Sequence, residues 1–213
     1  MSASNPSPTI SDSRTPAEWW RTLCEVIIPK RNGARIVVSG DLHHEHDQAL
    51  KQLQEWQAYG ITHILDARGE YSDIKFVAEY APEITYIECG THDDGGHQDS
   101  AWFDNALEAL GEDLFDKENV ALIHCHLGCN RGPSLAARIL LSQGYDLVPV
   151  LDAIRKARPI AAILYAEDAV DHWLAGQSDG IKRSARQTVR KWHADNPINL
   201  AWIIRRLREV EHN

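Results

Sequence analysis

The stretch Val120-Ala121-Leu122-Ile123-His124-Cys125-His126-Leu127-Gly128-Cys129-Asn130-Arg131-Gly132-Pro133-Ser134 decides how the chain is read. Its first four residues form a short apolar run, rich in branched side chains, that suits a buried strand, and Ser134 to Leu141 carry apolar residues at helical spacing. The loop between them therefore joins a strand to a helix N-terminus. Backbone N–H groups in a first helical turn lack intrahelical partners, and the aligned peptide dipoles add positive potential, so anions bind there. A cysteine in that field is expected to react as a thiolate, which makes Cys125 a candidate nucleophile. Arg131, six residues on, returns to the mouth of the loop. Its planar fork suits two oxygens of a phosphoryl group. Gly128 lets the loop curl, and the expected phosphate cradle is His126, Leu127, Gly128, Cys129, Asn130 and Arg131.

His124, Cys125, Gly128 and Arg131 resemble the His-Cys-x-x-Gly-x-x-Arg signature of the cysteine-based tyrosine and dual-specificity phosphatases. The resemblance implies an α/β fold in which a central, mostly parallel, twisted sheet is flanked by helices. It also implies a covalent mechanism that uses no metal or cofactor, with an aspartate general acid on a mobile loop roughly thirty residues before the cysteine. Asp93 and Asp94 lie 32 and 31 positions before Cys125, in the polar stretch from Glu88 to His97. Asp93 is the candidate acid and Asp94 the alternate, with Gly95 and Gly96 as a hinge. An Asx turn is the competing reading of both aspartates. His124 is expected to position Cys125 through hydrogen bonds. One departure stands out: the family carries Ser or Thr directly after the arginine, where this chain has Gly132. Ser134 is the nearest hydroxyl, and if it cannot reach the sulfur the covalent intermediate should break down slowly. Cys129 or Cys89 is a candidate partner for reversible oxidation of Cys125.

The rest of the chain fits around this loop. Residues 1–16 read as a disordered leader, rich in Ser, Pro, Thr and Asn. Trp19, Trp20, Leu23 and Ile27 suggest a short helix. Arg35–Ser39 reads as the first strand, followed by a loop with Asp41, His43, His44, Glu45, His46 and Asp47. Its Gly-Asp-Leu-His opening also resembles the metallophosphoesterases, but the further Asp and Asn-His motifs of that family are missing. A solvated loop without metal is the expectation. Ala49, Leu50, Leu53, Trp56 and Tyr59 form a helical stripe ending at Gly60, before a strand over Ile61–Leu65. Thr85–Ile87 reads as a third strand and Ala106 to Phe115 as a helix. Strand, helix, strand favours parallel pairing with right-handed crossovers. Arg138 reads as an ion-pairing surface residue, Asp146 as an N-cap and Arg158 as a structural bridge. Arg158-Pro159 resembles the family's Arg-Pro segment, so the likeness spans 35–174 within a catalytic domain over 17–175. Residues 176–213 read as a helical extension. Ile181, Ala185, Val189 and Trp192, then Leu200, Ile203, Ile204, Leu207 and Val210, should pack on the catalytic domain.

The 213 residues carry a net charge of −9, divided into −13 over residues 1–175 and +4 from Gly176 onward. That balance disfavours nonspecific nucleic-acid binding, while Lys182, Arg183, Arg186 and Arg190 could recruit an acidic substrate or form a solvated face. No apolar run is long enough to span a membrane and no signal peptide is evident. Four cysteines without disulfide or zinc spacing suit a reducing compartment, so a cytoplasmic location is expected. The cradle lacks the lysines of inositol-lipid phosphatases, so lipid headgroups are disfavoured. A phosphorylated protein or peptide, phosphotyrosine first and phosphoserine or phosphothreonine second, is the expected substrate. Gly128-x-Asn130-Arg131 also resembles RNA 5′-triphosphatases of the superfamily, and a slow phosphopeptide-binding pseudophosphatase is a third reading. Oligomeric state is not legible.

Overall fold

The computed structural model describes residues 15–29 and 32–211. The leader read over residues 1–16 lies outside the described residues but for its last two. In chain order the elements are α1 (Pro16–Trp19), β1 (Cys24–Glu25), β2 (Arg35–Ser39), α2 (His46–Tyr59), β3 (His63–Arg68), α3 (Ile74–Tyr80), β4 (Thr85–Thr91), α4 (Ser100–Leu110), β5 (Val120–His124), α5 (Arg131–Ser142), α6 (Leu147–Ala157), α7 (Ala166–Trp173), α8 (Asp179–Asp195) and α9 (Leu200–Glu211). A 3-10 turn over Gly111–Phe115 follows α4.

The strands form one sheet in the order β1-β2-β5-β3-β4, parallel except for β1. Strand side chains alternate between faces, and here both faces are covered. Ile36, Val38, Leu65, Ala121 and Ile123 share a core with Phe103, Leu135, Ile139, Val150 and Val170 from α4 to α7. Val37, Ile64, Val120 and Leu122 pack against Leu53, Trp56 and Val77 of α2 and α3. Burial on two sides explains the continuous apolar run of β5. β5 comes last in sequence yet lies at the centre of the sheet, so its loop leaves the middle of the C-terminal edge. Open α/β sheets bind ligands at that edge.

Three expectations need correction. The first helix stops at Trp19, and Cys24 and Glu25 instead pair antiparallel with Val38 and Val37. The Val26-Ile27-Ile28 run favours extended backbone, and Ile27 is 78% exposed rather than packed. The second strand starts at His63, and its buried end is polar: Arg68 donates from Nε to Asp66 Oδ1 at 2.8 Å and from Nη2 to Oδ2 at 2.6 Å. Pattern reading passed over such a compensated pair. The helix before β5 begins at Ser100, where Asp99 accepts from the Ala101 N–H, and Phe115 beyond it is exposed.

In the C-terminal segment, Val189, Trp192, Ile203 and Leu207 are buried in the core shared with α5 to α7. Arg186 pairs with Asp171 and Arg190 with Glu167, fastening α8 to α7. No helix among the described residues is long and apolar enough to cross a membrane.

Candidate active site

The loop between β5 and α5 is held in shape from behind. Gly128 has φ of 65°, and a Cβ there would lie 2.4 Å from both Arg158 Nη2 and Ser39 O, so only glycine fits. Arg158, fully buried, donates to Gly128 O at 2.6 Å, Leu127 O at 3.1 Å and Trp20 O at 2.9 Å. It is the structural bridge expected from sequence. Cys125 sits 2% exposed in a cavity of about 320 Å³ that Arg131, His126, Asn130, Asp93, Asp94 and Glu70 also line.

Arg131 is oriented by a residue the sequence reading missed. Its Nη1 and Nη2 donate end-on to Glu70 at 2.7 and 2.9 Å, and Nη1 also donates to Thr91 O at 2.9 Å. A guanidinium carries five N–H donors. Those left over are the Nε–H, which has no hydrogen-bond partner among the described residues, and one hydrogen on Nη2. They point the same way and form the side-on fork that suits two phosphoryl oxygens. Burial opposes the charge on Arg131, but Glu70, Cys125 and Asp93 push its pKa up. Partial burial likewise opposes the charge on Glu70, but hydrogen bonding to Arg131 holds its carboxyl below the usual glutamate range. An acidic residue just past the C-terminal end of a parallel strand was the available signal for Glu70.

Asp93 is brought to the loop and Asp94 is not fastened there. Asn130 Nδ2 donates to Asp93 Oδ1 at 2.7 Å and Tyr165 Oη donates to the same oxygen at 2.8 Å. Oδ1 thus accepts from two donors, and Oδ2 lies 3.5 Å from Arg131 Nε. Asp94 instead accepts from the Gly96 N–H at 2.8 Å, the Asx turn considered for both aspartates. Tyr165 and Asn130 are set by an unusual backbone. Ile163, β-branched and fully buried, holds φ of 55°. The next two N–H groups then reach Asn130 Oδ1 at 2.7 Å and Ser134 Oγ at 3.3 Å.

Several expected roles change. Asp41 is 1% exposed, not part of a solvated loop. It accepts from Tyr71 Oη, and its Oδ2 lies 2.7 Å from His126 Nδ1, so a buried carboxylate fixes the ring beside the nucleophile. His124 does not hydrogen-bond to Cys125: neither ring nitrogen has a hydrogen-bond partner among the described residues, Nε2 lies 3.9 Å from Asp66 Oδ1, and the ring packs 5.9 Å from Trp56 on the far face of β5. Burial pushes its pKa down. Ser134 Oγ is engaged with Asn130 and Tyr165, and no hydrogen bond joins it to Cys125 among the described residues. All four cysteines are free. Burial pushes the Cys129 thiol up to about 12 and the Cys89 thiol higher still. Arg138 is buried rather than at the surface, donating to His172 Nδ1 at 2.6 Å. Asp146 occupies the N-cap of α6 without a side-chain cap bond.

No protein-family model matches the chain. Solved structures do. A kinase associated phosphatase, with serine in place of its catalytic-site cysteine, aligns with a TM-score of 0.56 at 17% identity, over 75% of this chain and 98% of that one. A variant of human DUSP28 aligns with a TM-score of 0.55 at 16% identity, over 73% and 96% of the two chains. A chain from Leishmania major named as a protein tyrosine phosphatase gives a TM-score of 0.53 at 20% identity, over 74% and 98%. The chain thus has the fold of the cysteine-based protein tyrosine phosphatases of the dual-specificity type.

Proposed function

We propose that the chain is a cysteine-dependent phosphatase that hydrolyses phosphomonoesters on proteins, phosphotyrosine first. One observation carries the reading. Glu70 occupies the end-on fork of Arg131 and leaves the side-on Nε–H without a hydrogen-bond partner among the described residues, 3.5 Å from Asp93 Oδ2, in the cavity that holds Cys125 and Asp93. Leu127, Leu164, Leu200 and Ile204 line the same cavity and suit an aromatic ring better than a charged headgroup.

In the first step the Cys125 thiolate attacks phosphorus in line with the ester oxygen. The S–P bond forms, the P–O bond to the leaving group breaks, and Asp93 transfers its carboxyl proton to that oxygen. Arg131 and the loop amides hold the equatorial oxygens. In the second step Asp93 takes a proton from water as its oxygen attacks phosphorus. The S–P bond breaks, returning the thiolate and releasing inorganic phosphate.

Phosphate release from p-nitrophenyl phosphate tests it. Cys125→Ser should lower turnover by about a thousandfold or more. Asp93→Ala should lower it by about a hundredfold. Activity surviving in the serine variant rules the scheme out.

A further inference from the structure

The C-terminal helix forms part of the candidate catalytic cavity. Leu200, Ile204 and Arg208 of α9 line the same space as Cys125 and Arg131. Ile204 and Arg208 also line a groove of about 560 Å³ along α9, with Arg205 and Glu209. The two spaces adjoin across Ile204 and Arg208, so a chain held by a phosphoryl group in the loop would extend over α9. This wall is anchored from beneath, because Ile203 and Leu207 are buried in the core.

Charge is distributed unevenly around the mouth. Glu70, Asp93 and Asp94 line the cavity together with Arg208. On α9, Arg206 pairs with Glu209 at 2.7 Å, whereas the exposed Arg205 and Arg208 have no ion pair or side-chain hydrogen bond among the described residues. Arg186 and Arg190 of α8, by contrast, are held by Asp171 and Glu167. An exposed cation usually reports only a solvated face. Arg205 and Arg208 differ because they border the groove that opens from the cavity.

We propose that Arg205 and Arg208 recognise acidic residues flanking the phosphorylated side chain, so that the substrate class is an acidic phosphopeptide. The proposal rests on the phosphatase reading of the cavity. The phosphoryl group enters the Cys125 loop, the ring lies against Ile204, and a neighbouring carboxylate of the peptide pairs with a guanidinium on α9. The carboxylates of the cavity repel that flank and thereby set its direction.

Fluorescence anisotropy with the full chain carrying Cys125→Ser tests this without turnover. Labelled phosphotyrosine peptides would carry either Glu or Gln on both flanks. The Glu peptide should bind about tenfold more tightly at low salt. Arg205→Gln with Arg208→Gln should reduce the preference to within about twofold, and Arg205→Glu with Arg208→Glu should reverse it toward Lys-flanked peptides. Circular dichroism checks that each variant is folded. Equal binding of the Glu and Gln peptides, no binding of either, or a preference that survives both double variants overturns the proposal. Hydrolysis of p-nitrophenyl phosphate by the wild-type chain is read separately. Its absence overturns the phosphatase reading, whereas the flank preference stands or falls on the anisotropy alone.

Discussion

Arg131 shows how a single side chain can serve structure and chemistry together. Glu70 and Thr91 hold three of its donors, which fixes the plane of the guanidinium before any anion arrives. Such preorganisation spares the site from ordering a long side chain during binding. Glu70→Ala should therefore raise KM for p-nitrophenyl phosphate by about tenfold and lower kcat as well. Steady-state kinetics checks this, and unchanged constants would mean that Arg131 needs no such support. Gly132 acts by what it lacks. A Cβ there would lie 3.2 Å from His124 C and 3.3 Å from Cys125 N, so the backbone crowds the position where the family carries a hydroxyl. Ser134 does not make up the loss, because its Oγ is bonded to Asn130 and Tyr165.

Among the elements, the C-terminal ends of β2, β3 and β5 carry a buried polar row whose ionisation couples folding to pH. Burial pushes His124 below the ordinary histidine value. A base with a depressed folded pKa contributes stability that is fully present above its unfolded value, about 6.5, and is lost as pH falls below it. Burial works against the charge on Asp41 and Asp66, but the groups around them hold both below the ordinary aspartate value. Their contribution persists until pH falls below about 4. The melting temperature should thus decline in two stages on acidification, and His124→Gln should flatten the first. A variant profile parallel to wild type between about pH 8 and pH 5 would remove His124 from this account. The same strands show where sequence reading stops. Strand β5, the loop and α5 were legible because apolar pattern, glycine and cysteine spacing are all local. Glu70, Asp41 and Tyr165 were not. Their partners lie 61, 85 and 72 residues away, and only strand order brings them together.

For the molecule as a whole, the C-terminal helices belong to the core as much as to the surface. Leu207 is fully buried, and Leu207→Ala should cost about 2–5 kcal/mol of stability, read by chemical denaturation. A loss below about 1 kcal/mol would show that α9 is only loosely docked. The same helix walls the cavity, so the loss should be accompanied by weaker substrate binding. Sequence reading recovered the middle of both tail patterns, whereas Ile181 and Val210 at their ends are 48% exposed rather than packed; it could not say which face met the cavity, because amphipathic spacing identifies a buried stripe and not its neighbour. The central claim is that Cys125 becomes covalently phosphorylated. Rapid-quench measurement on wild type with p-nitrophenyl phosphate tests it most directly. A burst of p-nitrophenol matching the enzyme concentration, with phosphate bound to Cys125 after acid quench, is the predicted result. A linear time course with no phosphate on Cys125 would contradict the account.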